Sequence, residues 1–107
     1  MGTFKLTTYG NFYRFNLLAN TNEPLLHSMT YLSKAVALKA IDLVRRLSQS
    51  SDAFEARTAK DGQPYFVLKD ENGQILGESE FYITEDGRQH AIESARRNAM
   101  NATIIEV

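Results

Sequence analysis

The two histidines of this chain, His27 and His90, are the residue type that most often performs acid-base or metal chemistry near neutral pH. Neither has a partner at a metal-binding or catalytic spacing, such as two histidines four positions apart on a helix. The glycines form no phosphate-binding loop, and cysteine is absent from the chain. We therefore predict that the protein is not an enzyme and that it has no catalytic, metal or cofactor site.

Two adjacent arginines occur twice, each time three and four positions after an acidic residue. The sets are Asp42 with Arg45 and Arg46, and Glu93 with Arg96 and Arg97. Such spacings stabilise helices through ion pairs and through cations in the last helical turn. Alternatively, two arginine pairs that converge on one surface would bind phosphate or carboxylate groups in bidentate fashion. The sequence leaves both interpretations open.

Aromatic residues supply a second kind of candidate surface. Phe12, Tyr65 and Val67 stand between polar residues in strand-like segments, so an outward apolar patch around Tyr65 could receive a protein partner. Tyr31 and Tyr82 occupy equivalent places before two helices. We interpret these two tyrosines as core anchors.

The equivalences arise from an internal duplication. A shift of 51 residues superimposes identical residues: Tyr31 on Tyr82, Ala40 on Ala91, Ile41 on Ile92, Arg45 on Arg96, Arg46 on Arg97, Phe15 on Phe66 and Ser28 on Ser79. Phe4 meets Phe54 when one residue is inserted. The chain is thus predicted to be one domain built of two repeats, about residues 1–51 and 52–107.

Within each repeat the hydrophobic period changes from two to 3.6, which predicts three strands followed by a helix. Third strands are expected at residues 25–31 and 75–82, and the helices behind the N-cap residues Ser33 and Thr84. Asn72-Gly73 predicts a tight turn in the second repeat, and residues 20–23 a wider one in the first. Residues 103–107 are predicted to form a further strand. The fold class is α+β: tandem β-β-β-α units in one antiparallel sheet, with both helices on one face and pseudo-two-fold symmetry.

Composition limits the function classes. Twelve Lys and Arg against thirteen Asp and Glu give a net charge of −1, which provides no bulk attraction for nucleic acid or anionic membranes. The N-terminal residues lack the pattern of a secretory signal, and no apolar run approaches the roughly 20 residues of a membrane span. We expect a cytoplasmic protein without a membrane partner.

Two stretches carry a family resemblance: residues 65–76, YFVLKDENGQIL, and residues 91–99, AIESARRNA. Together with their counterparts in the first repeat, they resemble the small bacterial YegP-like family, which has no established function. The resemblance implies repeated β-β-β-α-β units in one sheet, with the C-terminal strands swapped between the halves. It supplies no catalytic residues. Because both repeats lie in one chain, we expect a monomer.

Two functional hypotheses follow. The first is a non-enzymatic module that binds a protein or peptide through the surface or an edge of its sheet. The second is a weak nucleic-acid or anionic-ligand binder that uses Arg45, Arg46, Arg96 and Arg97, and its binding would fall steeply with salt.

Overall fold

A computed structural model of the protein describes residues 2–107, which form seven strands and two α-helices. The strands are β1 Thr3–Tyr9, β2 Phe12–Leu18, β3 Pro24–Ser28, β4 Phe54–Thr58, β5 Pro64–Lys69, β6 Ile75–Glu78 and β7 Thr103–Glu106. The helices are α1 Lys34–Leu47 and α2 Glu85–Ala99, and one 3₁₀ turn, Ser51–Ala53, leads into β4.

All seven strands form one sheet in the order β4-β5-β6-β3-β2-β1-β7. The two repeats meet at its centre, where His27 pairs with Glu78 and Ser28 with Gly77. A side chain at Gly77 would place its Cβ 2.8 Å from Leu26 Cγ, so glycine permits this close central contact. The pseudo-two-fold α+β architecture predicted from the repeat is confirmed.

The last strand belongs to the second repeat but lies against the first strand of the first. β7 pairs with β1 in parallel, and Phe4 lies opposite Ile104. The strand exchange that the family resemblance implied is therefore present for the second repeat, whereas the first repeat has no separate C-terminal strand and its chain continues into β4. The exchange also makes the sheet mixed, since the other strand pairs are antiparallel. β7 follows α2 in the chain and runs in the same direction as β1.

Both helices pack on the same face of the sheet, each behind the predicted N-cap. The Val36 N–H donates to Ser33 Oγ at 3.1 Å, and the Gly87 N–H to Thr84 Oγ1 at 3.0 Å. Their apolar stripes join the inward side chains of the strands in one core. Its largest fully buried members include Phe4, Phe15, Phe66, Leu6, Leu17, Leu25, Leu26, Ile41, Leu68 and Val44.

The turns before β3 and before β6 have the same geometry, so the expectation of a wider turn in the first repeat is wrong. The Asn22 N–H donates to the Ala19 carbonyl, as the Gly73 N–H does to the Asp70 carbonyl, both at 2.8 to 3.0 Å. Asn22 has φ of 70° and Gly73 of 81°. Asparagine tolerates this left-handed conformation, which explains how the first repeat forms the turn without glycine.

Both third strands end earlier than predicted, β3 at the buried Ser28 and β6 at Glu78, just before the buried Ser79. Ser28 Oγ accepts the Phe15 N–H at 2.8 Å and donates to the Met29 carbonyl at 2.7 Å. Ser79 Oγ accepts the Phe66 N–H at 2.9 Å and donates to the Glu80 carbonyl. In each repeat a serine hydroxyl, instead of a backbone carbonyl, accepts the amide hydrogen bond from the neighbouring strand. The regular backbone pairing between the second and third strands therefore ends at this position.

None of the helices within residues 2–107 is long and apolar enough to cross a membrane.

Candidate functional site

The inner arginine of each pair contacts the end of the opposite helix. Arg45 Nη1 donates to the Met100 carbonyl at 3.2 Å, and Arg96 Nη2 donates to the Gln49 carbonyl at 3.4 Å. Arg45 also lies over the Phe4 ring, 5.2 Å from its centroid. The two contacts are equivalent under the repeat, and they satisfy carbonyls at the C-terminal ends of the helices.

The outer arginines lie in different surroundings. Arg46 lines a shallow hollow with Asp70, Glu71 and Asn72 of the β5–β6 turn, whereas Arg97 lines another with Glu23 and Tyr82. The four arginines thus do not share one pocket. Arg45 and Arg46 together line a further pocket with Asp42, Gln49 and Met100, and neither Arg96 nor Arg97 is among its lining residues. The contacts of Arg45 and Arg96 fit the helix-stabilising interpretation, and anion binding by the four arginines stays a prediction.

Tyr65 lies on the face of the sheet that carries no helices. Its ring packs edge-on against Phe81 at 5.3 Å, and Phe81 is exposed. Val67, expected beside it as part of an exposed patch, is fully buried, flanked by Glu55 and Glu78 in register. The apolar patch around Tyr65 is therefore small.

The rest of this face near Tyr65 is charged. Glu55 accepts hydrogen bonds from Lys69 Nζ at 2.7 Å and from the Arg57 guanidinium. These two bonds, that from Lys69 first, lower the pKa of Glu55 below its usual value. The carboxylate therefore stays ionised at neutral pH.

The two histidines lie in different parts of the fold, His27 on β3 at the centre of the sheet and His90 on α2. His27 Nδ1 lies 3.0 Å from Asn16 Oδ1, and His27 Nε2 lies 2.6 Å from Glu80 Oε2. His90 is exposed on α2. No group of three or more His, Asp or Glu residues suited to a metal ion occurs in the described part of the chain.

Among residues 2–107, Tyr82 carries the one buried side-chain polar group without a hydrogen-bond partner. Its hydroxyl is enclosed and makes no hydrogen bond with any of residues 2–107. Burial, with smaller effects from Glu23 and Glu80, raises the pKa of Tyr82 to about 12. Such a phenol is a poor proton donor at neutral pH, which argues against a catalytic acid here.

The most pronounced difference between the two repeats lies at the outer edges of the sheet. On one side, β7 completes the hydrogen bonds of β1: the Thr103 N–H donates to the Gly2 carbonyl at 3.2 Å and the Val107 N–H to the Leu6 carbonyl at 2.9 Å. The Thr8 N–H donates in turn to the Val107 carbonyl at 3.4 Å. The edge of β1 is thereby closed.

On the other side, β4 is the last strand of the sheet. Phe66 uses its backbone groups toward β6, since its N–H and carbonyl bond Ser79. Hydrogen-bond direction alternates along a strand, so Ala56, which pairs with Phe66, directs its N–H and carbonyl to the outer edge. The same alternation turns the N–H and carbonyl of Thr58 outward. At Phe54 the N–H donates to the Ser51 carbonyl, which leaves the carbonyl for the edge.

Side-chain burial follows the same difference. Phe4 is 0% exposed and Leu6 only 2%, beneath the helices and beside β7. Their counterparts on β4 are Phe54, which is partly exposed, and Ala56, which is exposed although it faces the helix side. A shallow apolar strip with unused backbone groups therefore runs along the outer edge of β4. We call residues 54–58 on this side the open edge.

The open edge was not among the residues singled out from the sequence. Two signals for it are present in the sequence. Ala56 stands where the first repeat has Leu6, and the segment equivalent to residues 103–107 is the beginning of β4 itself.

Comparison with known proteins identifies the fold and the family. The family model described as a domain of unknown function, DUF1508, matches residues 10–55 and again residues 59–106. A UPF0339 protein of Bordetella pertussis is 42% identical over 101 residues, which cover 94% of this chain and 91% of that protein. The UPF0339 protein YegP of Escherichia coli K12 is 38% identical over 104 residues, covering 96% of this chain and 94% of YegP.

Two solved structures have the same fold as this chain. The solution NMR structure of YegP from E. coli, described as a protein of unknown function, has a TM-score of 0.92 at 38% identity and covers 98% of this chain and 91% of its own. That of a UPF0339 protein from Shewanella oneidensis has a TM-score of 0.91 at 32% identity, with 98% and 90% covered. None of these descriptions names an enzyme or a nucleic-acid ligand, so the nucleic-acid hypothesis is not supported. The chain, in two repeats, belongs to the bacterial YegP-like UPF0339 family, whose function is unknown.

Proposed function

We propose that this protein is a non-enzymatic interaction module that binds an extended segment of a partner protein along the open edge of β4. The segment would add an eighth strand, parallel to β4, through main-chain hydrogen bonds. The absence of any catalytic motif in the sequence motivates the non-enzymatic part of the proposal.

The observation that carries the proposal is the chain's own use of the equivalent edge. β1 and β4 are equivalent strands in the repeat, and the short apolar segment β7 occupies one of them in parallel register. The same arrangement of backbone groups on β4 has no occupant within residues 2–107. An edge of this kind pairs readily with another extended chain, because each added residue satisfies groups that otherwise bond water.

We further propose that the working unit is a single domain, monomeric and cytoplasmic. Both repeats contribute to one sheet and one core, and β7 already closes the β1 edge. Sedimentation equilibrium at micromolar concentration should give the mass of one chain. A dimer at that concentration would contradict this part of the proposal.

The test is a selection of random seven-residue peptides displayed on phage. Enriched peptides are expected to bind the wild-type protein and to shift the amide resonances of residues 54–58 in an ¹H–¹⁵N spectrum. The Ala56→Pro variant lacks the outward N–H, a change that edge strands tolerate, and should lose binding. Ala56→Val keeps the N–H and is the matched control that should retain it.

Three results would contradict the proposal: no enrichment, equal binding to wild type and Ala56→Pro, or resonance shifts confined to residues away from β4. A Pro variant that fails to fold would show in its own spectrum. In that case the wild-type protein is tested instead with a series of peptides, each methylated on one backbone nitrogen. The proposal is supported if methylation abolishes binding at every second position of the peptide.

A further inference from the structure

The helix that starts beside each edge strand begins with a charged residue, and the sign of this charge differs between the two repeats. Building on the proposed edge binding, we infer that the open edge accepts a segment with a basic residue at one defined position and rejects the chain's own C-terminal strand. The occupant is thus an extended basic-apolar peptide of another protein, rather than a second copy of this chain.

At the occupied edge, the side chain at one position of β7 contacts a charge at the start of a helix. β7 directs Ile104 and Glu106 toward the helix side, because they pair with the inward-facing Phe4 and Leu6. Glu106 Oε1 lies 2.6 Å from Lys34 Nζ, at the first residue of α1. The hydrogen bond to Glu106 is the main cause that raises the pKa of Lys34. The helix start thus places a charge directly above the strand that docks beneath it.

At the open edge this charge is reversed. Glu85 is the first residue of α2, as Lys34 is of α1, and both follow an N-cap of equivalent geometry. The Glu85 side chain is 85% exposed and lies 3.4 Å from Arg88 Nη2. Arg88 Nη1 donates to the Arg57 carbonyl at 2.9 Å, which places this turn of α2 above β4. Arg88 is only 13% exposed and is already bound to the β4 backbone, so the exposed carboxylate of Glu85 is the group of this pair that we expect a docked residue opposite Ala56 to meet.

The C-terminal strand of a second copy does not suit this position. Its Glu106 would come opposite Glu85, and like charges at such a contact oppose pairing. A lysine or arginine at the same position would instead join Glu85, and an apolar residue two positions earlier would cover the exposed part of Phe54. The required segment is extended, apolar at the position equivalent to Ile104 and basic at the position equivalent to Glu106.

The experiment compares two peptides that differ at that one position. One is acetylated and amidated Ala-Thr-Ile-Ile-Glu-Val, copied from the C-terminus, and the other carries the Glu106→Lys change. Both are fluorescently labelled and titrated with wild-type protein, Glu85→Lys and Glu85→Gln, while amide spectra report where they bind. Wild type should bind the lysine peptide roughly three- to ten-fold more tightly, the range for reversing one exposed charge contact.

The two Glu85 variants test whether this residue determines which peptide is preferred. Glu85→Lys should prefer the glutamate peptide, and Glu85→Gln should bind both with similar affinity. The wild-type preference should shrink in high salt, because exposed charges are screened. Methylation of the amide equivalent to that of Ile105 should abolish binding, since the Thr103 and Val107 amides face β1 and the one between them shares their direction.

The outcomes separate this inference from the proposed function. Equal binding of both peptides to wild type, with shifts at residues 54–58, overturns the charge selection and leaves edge binding intact. A preference for the glutamate peptide also overturns it. If neither peptide binds, the inference fails, and an empty peptide selection in addition removes the proposed function itself.

Discussion

Strands β1 and β4 occupy the same position in the two repeats, but only β4 lies at an edge of the sheet. β1 is covered by β7 and its Phe4 is fully buried, whereas β4 has no neighbour on its outer side among residues 2–107 and its Phe54 is partly exposed. The cause lies in the tandem connection. Residues 103–107 leave the second helix as a free strand, but the equivalent residues of the first repeat continue into β4.

The tandem arrangement therefore leaves one edge of the sheet without an occupant among residues 2–107. The two repeats provide two equivalent edges, at β1 and at β4. Only the second repeat ends in a strand, β7, that can cover one of them. Elsewhere the two halves remain close copies, down to the buried serine at the end of the third-strand region and the arginine that contacts the opposite helix. The edges are thus where the halves differ in a way that leaves main-chain groups available to a partner.

The largest expected effect separates the two phenylalanines. Phe4→Ala should lower the free energy of unfolding by about 3 to 5 kcal/mol, the range for a fully buried aromatic. Phe54→Ala should cost roughly half as much, because part of its ring already meets water. Urea unfolding of both variants measures the difference. Equal losses would mean that the β4 edge is covered as well as the β1 edge.

A smaller and equal effect is expected at the two serines. Ser28→Ala and Ser79→Ala each remove the acceptor of a buried amide, that of Phe15 or Phe66, and should cost about 1 to 3 kcal/mol in the same assay. Because the two geometries match, the two losses should agree to within about 0.5 kcal/mol. A loss at one serine alone would show that the centre of the sheet is less symmetric than its hydrogen bonds.

The smallest effect near neutral pH concerns Tyr82. Its hydroxyl has no partner within residues 2–107, so Tyr82→Phe should change the stability by less than about 1 kcal/mol at pH 7. The alkaline range is different, since burial raises the pKa of Tyr82 to about 12 while the unfolded chain ionises near its ordinary value of about 10. The folded state therefore loses stability as pH rises from 10 to 12.

Tyr82→Phe should reduce that alkaline loss, measured by urea unfolding at pH 8, 10 and 11. Tyr31, whose pKa burial also raises, provides the equivalent substitution in the first repeat. An unchanged pH dependence in Tyr82→Phe would place its hydroxyl in contact with water.

Much of this fold could be predicted from local patterns. The repeat, both N-caps, the buried Ile41 and Ile92, and the C-terminal strand follow from residue spacing and capping chemistry. The early end at Ser28 could not, because a hydroxyl that replaces a carbonyl depends on the neighbouring strand.

The candidate site was harder to predict because it depends on strand order. Local sequence does not reveal which strand lacks a neighbour, and the alternation that placed Val67 outward could not show that this position is buried. The reversed charges at Lys34 and Glu85 are visible in the sequence, but their meaning requires Glu106 to lie beside one of them.

The most direct test of the open edge is hydrogen exchange at the amides of Ala56 and Thr58, compared with that of Thr8, in free protein and with saturating lysine peptide. In the free protein, Ala56 and Thr58 should exchange rapidly and Thr8 slowly, because of these three amides the Thr8 N–H alone has a main-chain acceptor on its outer side within residues 2–107, the Val107 carbonyl. Addition of the peptide should slow Ala56 and Thr58 and leave Thr8 unchanged. Slow exchange of Ala56 and Thr58 without peptide, or rapid exchange that the peptide does not alter, would contradict the account.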